Sequence, residues 1–279
     1  MLWYSFLVGI IGLTYPNWAG NDADWDKMNL KGNIQRISQR IYAAKMRDNE
    51  VKKQHLLLDP LENWDIEFNK KGFISQKNCY GADNELMFYY DYKYKKNTFL
   101  IQKTMYDANN YLVEKVAYVY SQSGQLAAES IYRSDGSLLV RYIYNYTPKG
   151  LLSQTDVQAP ISHLYVASKY EFSYNKAQLV TEQRTYNTQE NLHQTDYYDY
   201  DNNGHLKTHK TVNHLNQFEF VAYSKYNLDG YLMTYQEQGS QSPSLSYTYI
   251  FDEEGNWISR THYKNGKIDN IVERTITYY

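Results

Sequence analysis

Tyr118-Val119-Tyr120-Ser121-Gln122-Ser123-Gly124-Gln125-Leu126 and Tyr198-Asp199-Tyr200-Asp201-Asn202-Asn203-Gly204-His205-Leu206 follow one pattern. Two aromatic residues stand two apart, a glycine follows four residues after the second, and an apolar residue follows two later. Taking the second aromatic as an anchor, the pattern recurs at Phe68, Tyr94, Tyr120 and Tyr146, each 26 residues apart. After a two-residue slip it continues at Tyr174, Tyr200, Tyr226 and Phe251, in steps of 26, 26 and 25. Six residues beyond the anchors lie Ile74, Leu100, Leu126, Leu152, Val180, Leu206, Leu232 and Trp257, and six of the eight units carry the glycine. Recurrence at a fixed period marks a tandem array in which each copy is one supersecondary unit.

Each unit has a weaker second half. Tyr80, Tyr106, Tyr132, Tyr186 and Tyr263 stand twelve residues after their anchors, and Leu86, Leu112, Leu138, Leu164, Leu192 and Phe218 follow six later. Turns therefore alternate at 12 and 14 residues, leaving about eight residues per strand, or ~27 Å at ~3.3 Å per residue. Asn69-Lys70-Lys71-Gly72, Asp201-Asn202-Asn203-Gly204 and Asn227-Leu228-Asp229-Gly230 supply glycine for positive φ and Asn or Asp to bond the local backbone. The expected fold is all-β: tandem two-strand repeats in a long antiparallel meander of about sixteen strands, forming a curled or superhelical single sheet. A flat sheet that wide is disfavoured.

Period-two alternation assigns faces. It places Gln76, Gln102, Gln154, Thr208 and Thr234 on the anchor face, and Lys77, Lys103, Glu129, Gln183 and His209 on the other. Neither face is continuously apolar, which argues against a two-sheet sandwich. An outer-membrane barrel is set aside for the same reason: Lys207, His209 and Thr211 alternate with Thr208 and Lys210, so neither face of that strand can meet hydrocarbon.

Composition narrows the functional classes. The 29 basic and 31 acidic residues balance to a net charge of −2, giving no electrostatic footprint for nucleic acid. Tyrosine is the unusual residue, 32 of 279, and it suits half-buried strand positions because its ring packs while its hydroxyl stays wet. A single cysteine, Cys79, excludes an intrachain disulfide framework and a cysteine zinc site. Leu2–Tyr15 is almost wholly apolar, which fits a signal-peptide core and is too short for a spanning helix, although no Lys or Arg precedes Lys27. The expected organisation is a leader over residues 1–19, an atypical cap and connection over 20–65, and the repeat domain over 66–279. Export to the periplasm or cell surface follows, with no membrane span in the mature chain. Within the cap, Ile34, Ile37 and Ile41 have helical spacing, yet Leu30-Lys31-Gly32 leading to Tyr42 reads as a degenerate repeat. A strand followed by a charged connection, Met46–Leu58, is preferred.

The two opening stretches, with Tyr132-Arg133-Ser134-Asp135-Gly136-Ser137-Leu138 and Phe251-Asp252-Glu253-Glu254-Gly255-Asn256-Trp257, resemble the YD repeat of RHS-type proteins. The resemblance runs from about Asp65 to the C-terminus. The whole chain is similar to exported repeat proteins of Bacteroidetes-type bacteria. In large RHS proteins such repeats form a spiralling β shell around a toxin, so the resemblance implies β-hairpin geometry and, by analogy, a toxin-associated or immunity role.

Candidate chemistry is sparse. Asp199 to Gly204 has the opening spacing of a calcium loop, but Lys210 stands where the bidentate Glu belongs, so an Asn-rich turn is the expectation. His205, His209 and His214 form the only histidine cluster, and on one strand His205 and His209 stand ~13 Å apart, too far to share a zinc. Cys79 has no activating partner in sequence, and Asp252, Glu253 and Glu254 lie in a turn. No catalytic constellation, metal site or cofactor motif is present, so the chain is expected to be non-enzymatic, with a hydrolase assembled from repeat turns as the alternative. The candidate ligand-binding residues are the tyrosine rows Tyr118, Tyr120, Tyr142, Tyr144, Tyr198 and Tyr200, and the Pro160 and His163 pair where the array carries its insertion. Aromatic rows with interleaved polar residues suit a protein or glycan partner.

Overall fold

The structure is a computed structural model that describes residues 23–48, 50–159, 168–239 and 242–279. The leader and the insertion residues Pro160, His163 and Leu164 lie outside the described residues. After a short helix, α1 (Asp24–Lys27), come β1 (Ile34–Arg47), β2 (Glu50–Leu56), β3 (Trp64–Phe68), β4 (Ile74–Tyr80), β5 (Leu86–Lys95), β6 (Phe99–Asp107), β7 (Leu112–Tyr120), β8 (Leu126–Arg133) and β9 (Leu138–Tyr146). The chain continues through β10 (Leu152–Gln158), β11 (Lys169–Tyr174), β12 (Val180–Tyr186), β13 (Leu192–Tyr200) and β14 (Leu206–Asn213). It ends with β15 (Phe218–Tyr226), β16 (Leu232–Glu237), β17 (Ser244–Phe251), β18 (Trp257–Lys264) and β19 (Lys267–Tyr278).

Every strand from β3 to β19 pairs antiparallel with the next, as the turn spacing requires. The curl is complete. β1 pairs with β3 along Arg36–Gln39 and with β19 from Ile34 to Ala43, so the meander closes into an 18-strand barrel. β2 stands outside the ring and pairs only with the far half of β1. Met46–Leu58 is thus mostly a hairpin and not a loose connection, and its free edge is short and carries Lys52 and Lys53, which discourages edge pairing. β1 itself is a stave of the wall. Its helix-like isoleucine spacing has a local cause: a bulge between Ile34 and Arg36 inserts one residue, so Ile34, Ile37 and Ile41 all face inward and are buried.

The same device corrects the face assignment. At every anchor the register shifts, between Glu67 and Phe68, Val119 and Tyr120, Asp199 and Tyr200 and their equivalents. One extra residue moves all following side chains to the other face. Lys77, Lys103, Glu129, Gln183 and His209 therefore lie opposite Ile66, Tyr92, Tyr118, Phe172 and Tyr198 on the anchor face, which is the inner wall. Gln76, Gln102, Gln154, Thr208 and Thr234 lie opposite Glu67, Lys93, Asn145, Asp199 and Lys225 on the outer wall.

The anchor hydroxyls bond across the bulges. Tyr94 donates to the Ile74 carbonyl, Tyr120 to Leu100, Tyr146 to Leu126, Tyr174 to Leu152 and Tyr200 to Val180, at 2.7–3.0 Å. Tyr279 donates to the Phe68 carbonyl across the closure. Solid packing is concentrated near that seam. One cluster joins Ile34, Ile37, Trp64, Ile66, Phe68 and Cys79, and a second joins Ile41, Tyr231, Trp257 and Val272.

Candidate functional site: the barrel lumen

A barrel of 16–18 strands is too wide for its own side chains to fill. Eighteen strands at ~4.8 Å give a backbone diameter of at least ~27 Å before tilt is counted. The inner wall is accordingly aromatic but wet: Tyr90, Tyr92, Tyr94, Tyr118, Tyr120, Tyr142, Tyr144, Tyr170 and Phe172 are half-buried, not buried. The outer wall is charged. Glu67, Lys93, Arg141, Asp199 and Lys225 are all exposed there, and Asp91, Lys115, Glu171 and Lys210 share that face. Such a belt cannot face hydrocarbon. Among the described residues no helix is long and apolar enough to cross a membrane.

Residues 24 to 31 run over the end of the lumen that carries the glycine turns. Trp25 packs on Phe68 and donates its backbone N–H to Gly72. Asp24 Oδ2 accepts from the Ile74 N–H at 2.8 Å and lies 3.3 Å from the Tyr94 hydroxyl. Further along, the Asn29 side chain reaches the Asp229 carbonyl, and Lys31 exchanges two backbone bonds with the Asn256 side chain. Beneath α1 lies a cavity of about 170 Å³, lined by Asp24, Ile74, Tyr92, Tyr94, Lys103, Tyr118 and Tyr120 among others. Burial raises the phenols of Tyr92, Tyr94 and Tyr118 far above the usual range and Tyr120 to about 12, so all four are neutral donors at physiological pH. Glu129, opposite Tyr118, is raised by burial, with Lys103 and the Tyr144 hydroxyl opposing that shift.

The candidate tyrosines all face this lumen, but in separate sectors. Tyr118 and Tyr120 line the cavity, Tyr142 and Tyr144 follow on β9, and Tyr198 stacks on His209 at 5.0 Å on β13 and β14. Tyr120 and Tyr200 spend their hydroxyls on the bulge carbonyls.

The histidines do not converge. His205 sits at the rim, 3.3 Å from Asp201, whose carboxylate accepts the backbone N–H groups of Asn203 and His205 and so closes the turn. His214 bonds Thr195 on the outer wall. His209 is buried inside, with Nε2 3.0 Å from Asp196 and Thr211 donating to the same oxygen at 2.6 Å. Among the described residues no group of three or more His, Cys, Asp or Glu is placed to hold a metal. Cys79 is fully buried and burial raises its thiol to about 11, which removes it as a nucleophile. Of the turn carboxylates, Asp252 caps the Asn256 N–H and accepts the Tyr278 hydroxyl.

Sequence reasoning missed a second group on the inner wall. Arg274 on β19 lies over the Trp257 ring at 3.5 Å and near the Trp64 ring at 5.6 Å. Arg260 on β18 approaches Trp257 from 5.3 Å, and Lys77 on β4 approaches Trp64 from 5.4 Å. Glu62 reaches in from the β2–β3 connection, 3.4 Å from Arg260, and accepts from Gln39, which in turn accepts from Arg274 Nε. No motif links residues 62, 77, 260 and 274. The available signal was mid-strand Arg and Lys on the aromatic face, hidden by the bulges.

No protein-family model matches this chain, and no curated protein matches it. Among solved structures, a porin-like protein from Bacteroides uniformis is similar over 88% of this chain and 99% of that one, at 12% identity and a TM-score of 0.46. The Photorhabdus luminescens Tc holotoxin pore is similar over 71% of this chain and 13% of that one, at 12% identity and a TM-score of 0.36. The TcdB2–TccC3 structure without its hypervariable C-terminal region is similar over 82% of this chain and 16% of that one, at 11% identity and a TM-score of 0.38. All three are distant.

Proposed function

We propose that the chain is an exported, non-enzymatic binding module of the bacterial envelope that receives a glycan or extended peptide in its lumen. The observation that carries this reading is the inversion of the wall: charged residues outside, half-buried tyrosines with interleaved Lys103, Glu129 and Gln183 inside. Neutral phenols beside a cation and a carboxylate combine stacking surface with hydrogen-bond donors, the usual content of a small-molecule or oligomer site. Each aromatic contact is worth ~0.5–1.5 kcal/mol beyond its buried area. Calorimetric titration with panels of neutral and acidic oligosaccharides and peptides is the test. Saturable binding that falls at least tenfold in the double variant Y92A/Y118A is expected; no saturable binding to any panel member contradicts the reading.

The enzymatic alternative has one observation in its favour, the inward-facing Asp196–His209–Thr211 group. Its His209 Nδ1 is buried without a partner among the described residues, and the group lies in a separate sector from the cavity beneath α1. Turnover on any panel member that disappears in H209Q would displace the binding reading.

A further inference from the structure

The cations of the seam sector are held by rings more than by carboxylates. Lys77 and Arg274 share the Trp64 indole, and Arg274 and Arg260 share the Trp257 indole. Among the described residues Glu62 is the only carboxylate paired with any of them, through Arg260. Three positive charges therefore face one negative charge on this part of the inner wall. Among the described residues Arg274 makes a single hydrogen bond, through Nε, and neither terminal nitrogen of its fork has a partner. Arg260 Nε and His262 Nε2, two residues apart on β18, are buried donors with no partner among the described residues. Asn270 donates to His262 Nδ1, which leaves the ring proton on Nε2. Burial, followed by the charge of Arg260, pushes the Arg274 guanidinium well below its ordinary range. It stays a cation at neutral pH, because a guanidinium gives up its proton so reluctantly. Buried donors and under-compensated charge are costly to leave unmatched. A planar fork beside a second guanidinium is the arrangement that takes an oxyanion in two parallel hydrogen bonds.

We infer that Arg260 and Arg274 form an oxyanion site in the lumen, and that the ligand received there carries a carboxylate or sulfate group. The Trp257 ring backs the Arg274 guanidinium at 3.5 Å, and Lys77 adds charge without geometric demand. The identity of the larger ligand rests on the proposed lumen function, whereas the anion site does not. In a saccharide such a group is a uronate or a sulfate ester, in a peptide an acidic side chain, and the probes below separate these from a bare ion.

The experiment is calorimetric titration of the full chain with inorganic sulfate, glucuronate, an oligogalacturonate, glucose and a glutamate-rich peptide. Wild type, R260Q, R274Q, R274K and Y92A/Y118A are compared, with folding checked by circular dichroism. Sulfate and glucuronate are expected to bind and glucose not. R260Q and R274Q should each weaken anion binding at least tenfold, R274K should weaken it less than R274Q, and Y92A/Y118A should leave sulfate binding intact. R274Q removes the ring-stacked guanidinium and so perturbs packing as well as charge; R260Q, whose protein contacts are longer, provides the independent reading. No sulfate or glucuronate binding by wild type, or binding unchanged in R260Q, overturns the inference. Arginine-dependent sulfate binding with no oligosaccharide or peptide binding would uphold the anion site and defeat the larger ligand reading.

Discussion

Tyr120, Tyr146, Tyr174 and Tyr200 could pack equally well as phenylalanine, yet each hydroxyl donates to the carbonyl at the bulge one hairpin earlier. Y120F is therefore expected to cost about 1 kcal/mol in urea denaturation, the net worth of one such bond, with little change in spectrum. Asp65 works differently. Burial raises its carboxyl, but hydrogen bonds from Arg40 and Arg36 outweigh that and hold it below the usual range. A depressed folded-state pKa contributes stability that is present above the unfolded value of about 3.9 and lost as pH falls through the folded one. The urea midpoint of wild type should exceed that of D65N at pH 6, and the gap should narrow progressively as pH falls below about 4. A gap independent of pH would mean that Asp65 acts by shape and not by charge.

At the scale of elements, the turns and the alternation were legible because they are local: Asn or Asp, two residues and Gly need no partner strand to be read. Gly72, Gly124 and Gly204 do adopt φ of +81°, +83° and +84°. The bulges were not legible. A bulge is a property of two paired strands, and the sequence shows one strand at a time, so the mid-strand residues were assigned to the wrong walls. Arg260 and Arg274 stayed hidden for the same reason. Gly72 also carries a load that its pattern does not reveal, because a Cβ there would lie 2.5 Å from the Trp25 ring, whereas one on Gly136 (φ +82°) would meet nothing within 4 Å. Both alanine variants incur the positive-φ penalty of roughly 1 kcal/mol. G72A must in addition displace α1. In thermal melts G72A should fall well below G136A, and equal losses would show that α1 contributes nothing to that rim.

For the whole molecule the defining act is closure. The repeat specifies strands β3 to β18, but β1 and β19 join residues more than 200 positions apart, and nothing in a 26-residue period announces that pairing. Closure removes the sheet edges that a long meander would leave open to other chains. It also turns one face into a lumen, on which both functional readings depend. With Glu67, Lys93, Arg141, Asp199 and Lys225 exposed on the outer wall, closure is expected in water without lipid. The direct measurement is the seam itself. Ser38 and Thr275 are paired on the outer wall, at a separation that a disulfide can span, and Cys79 is buried elsewhere. In S38C/T275C prepared without detergent, mild oxidation should give a monomeric chain with an internal disulfide in near-quantitative yield. Free thiols or disulfide-linked dimers instead would show that the sheet stays open.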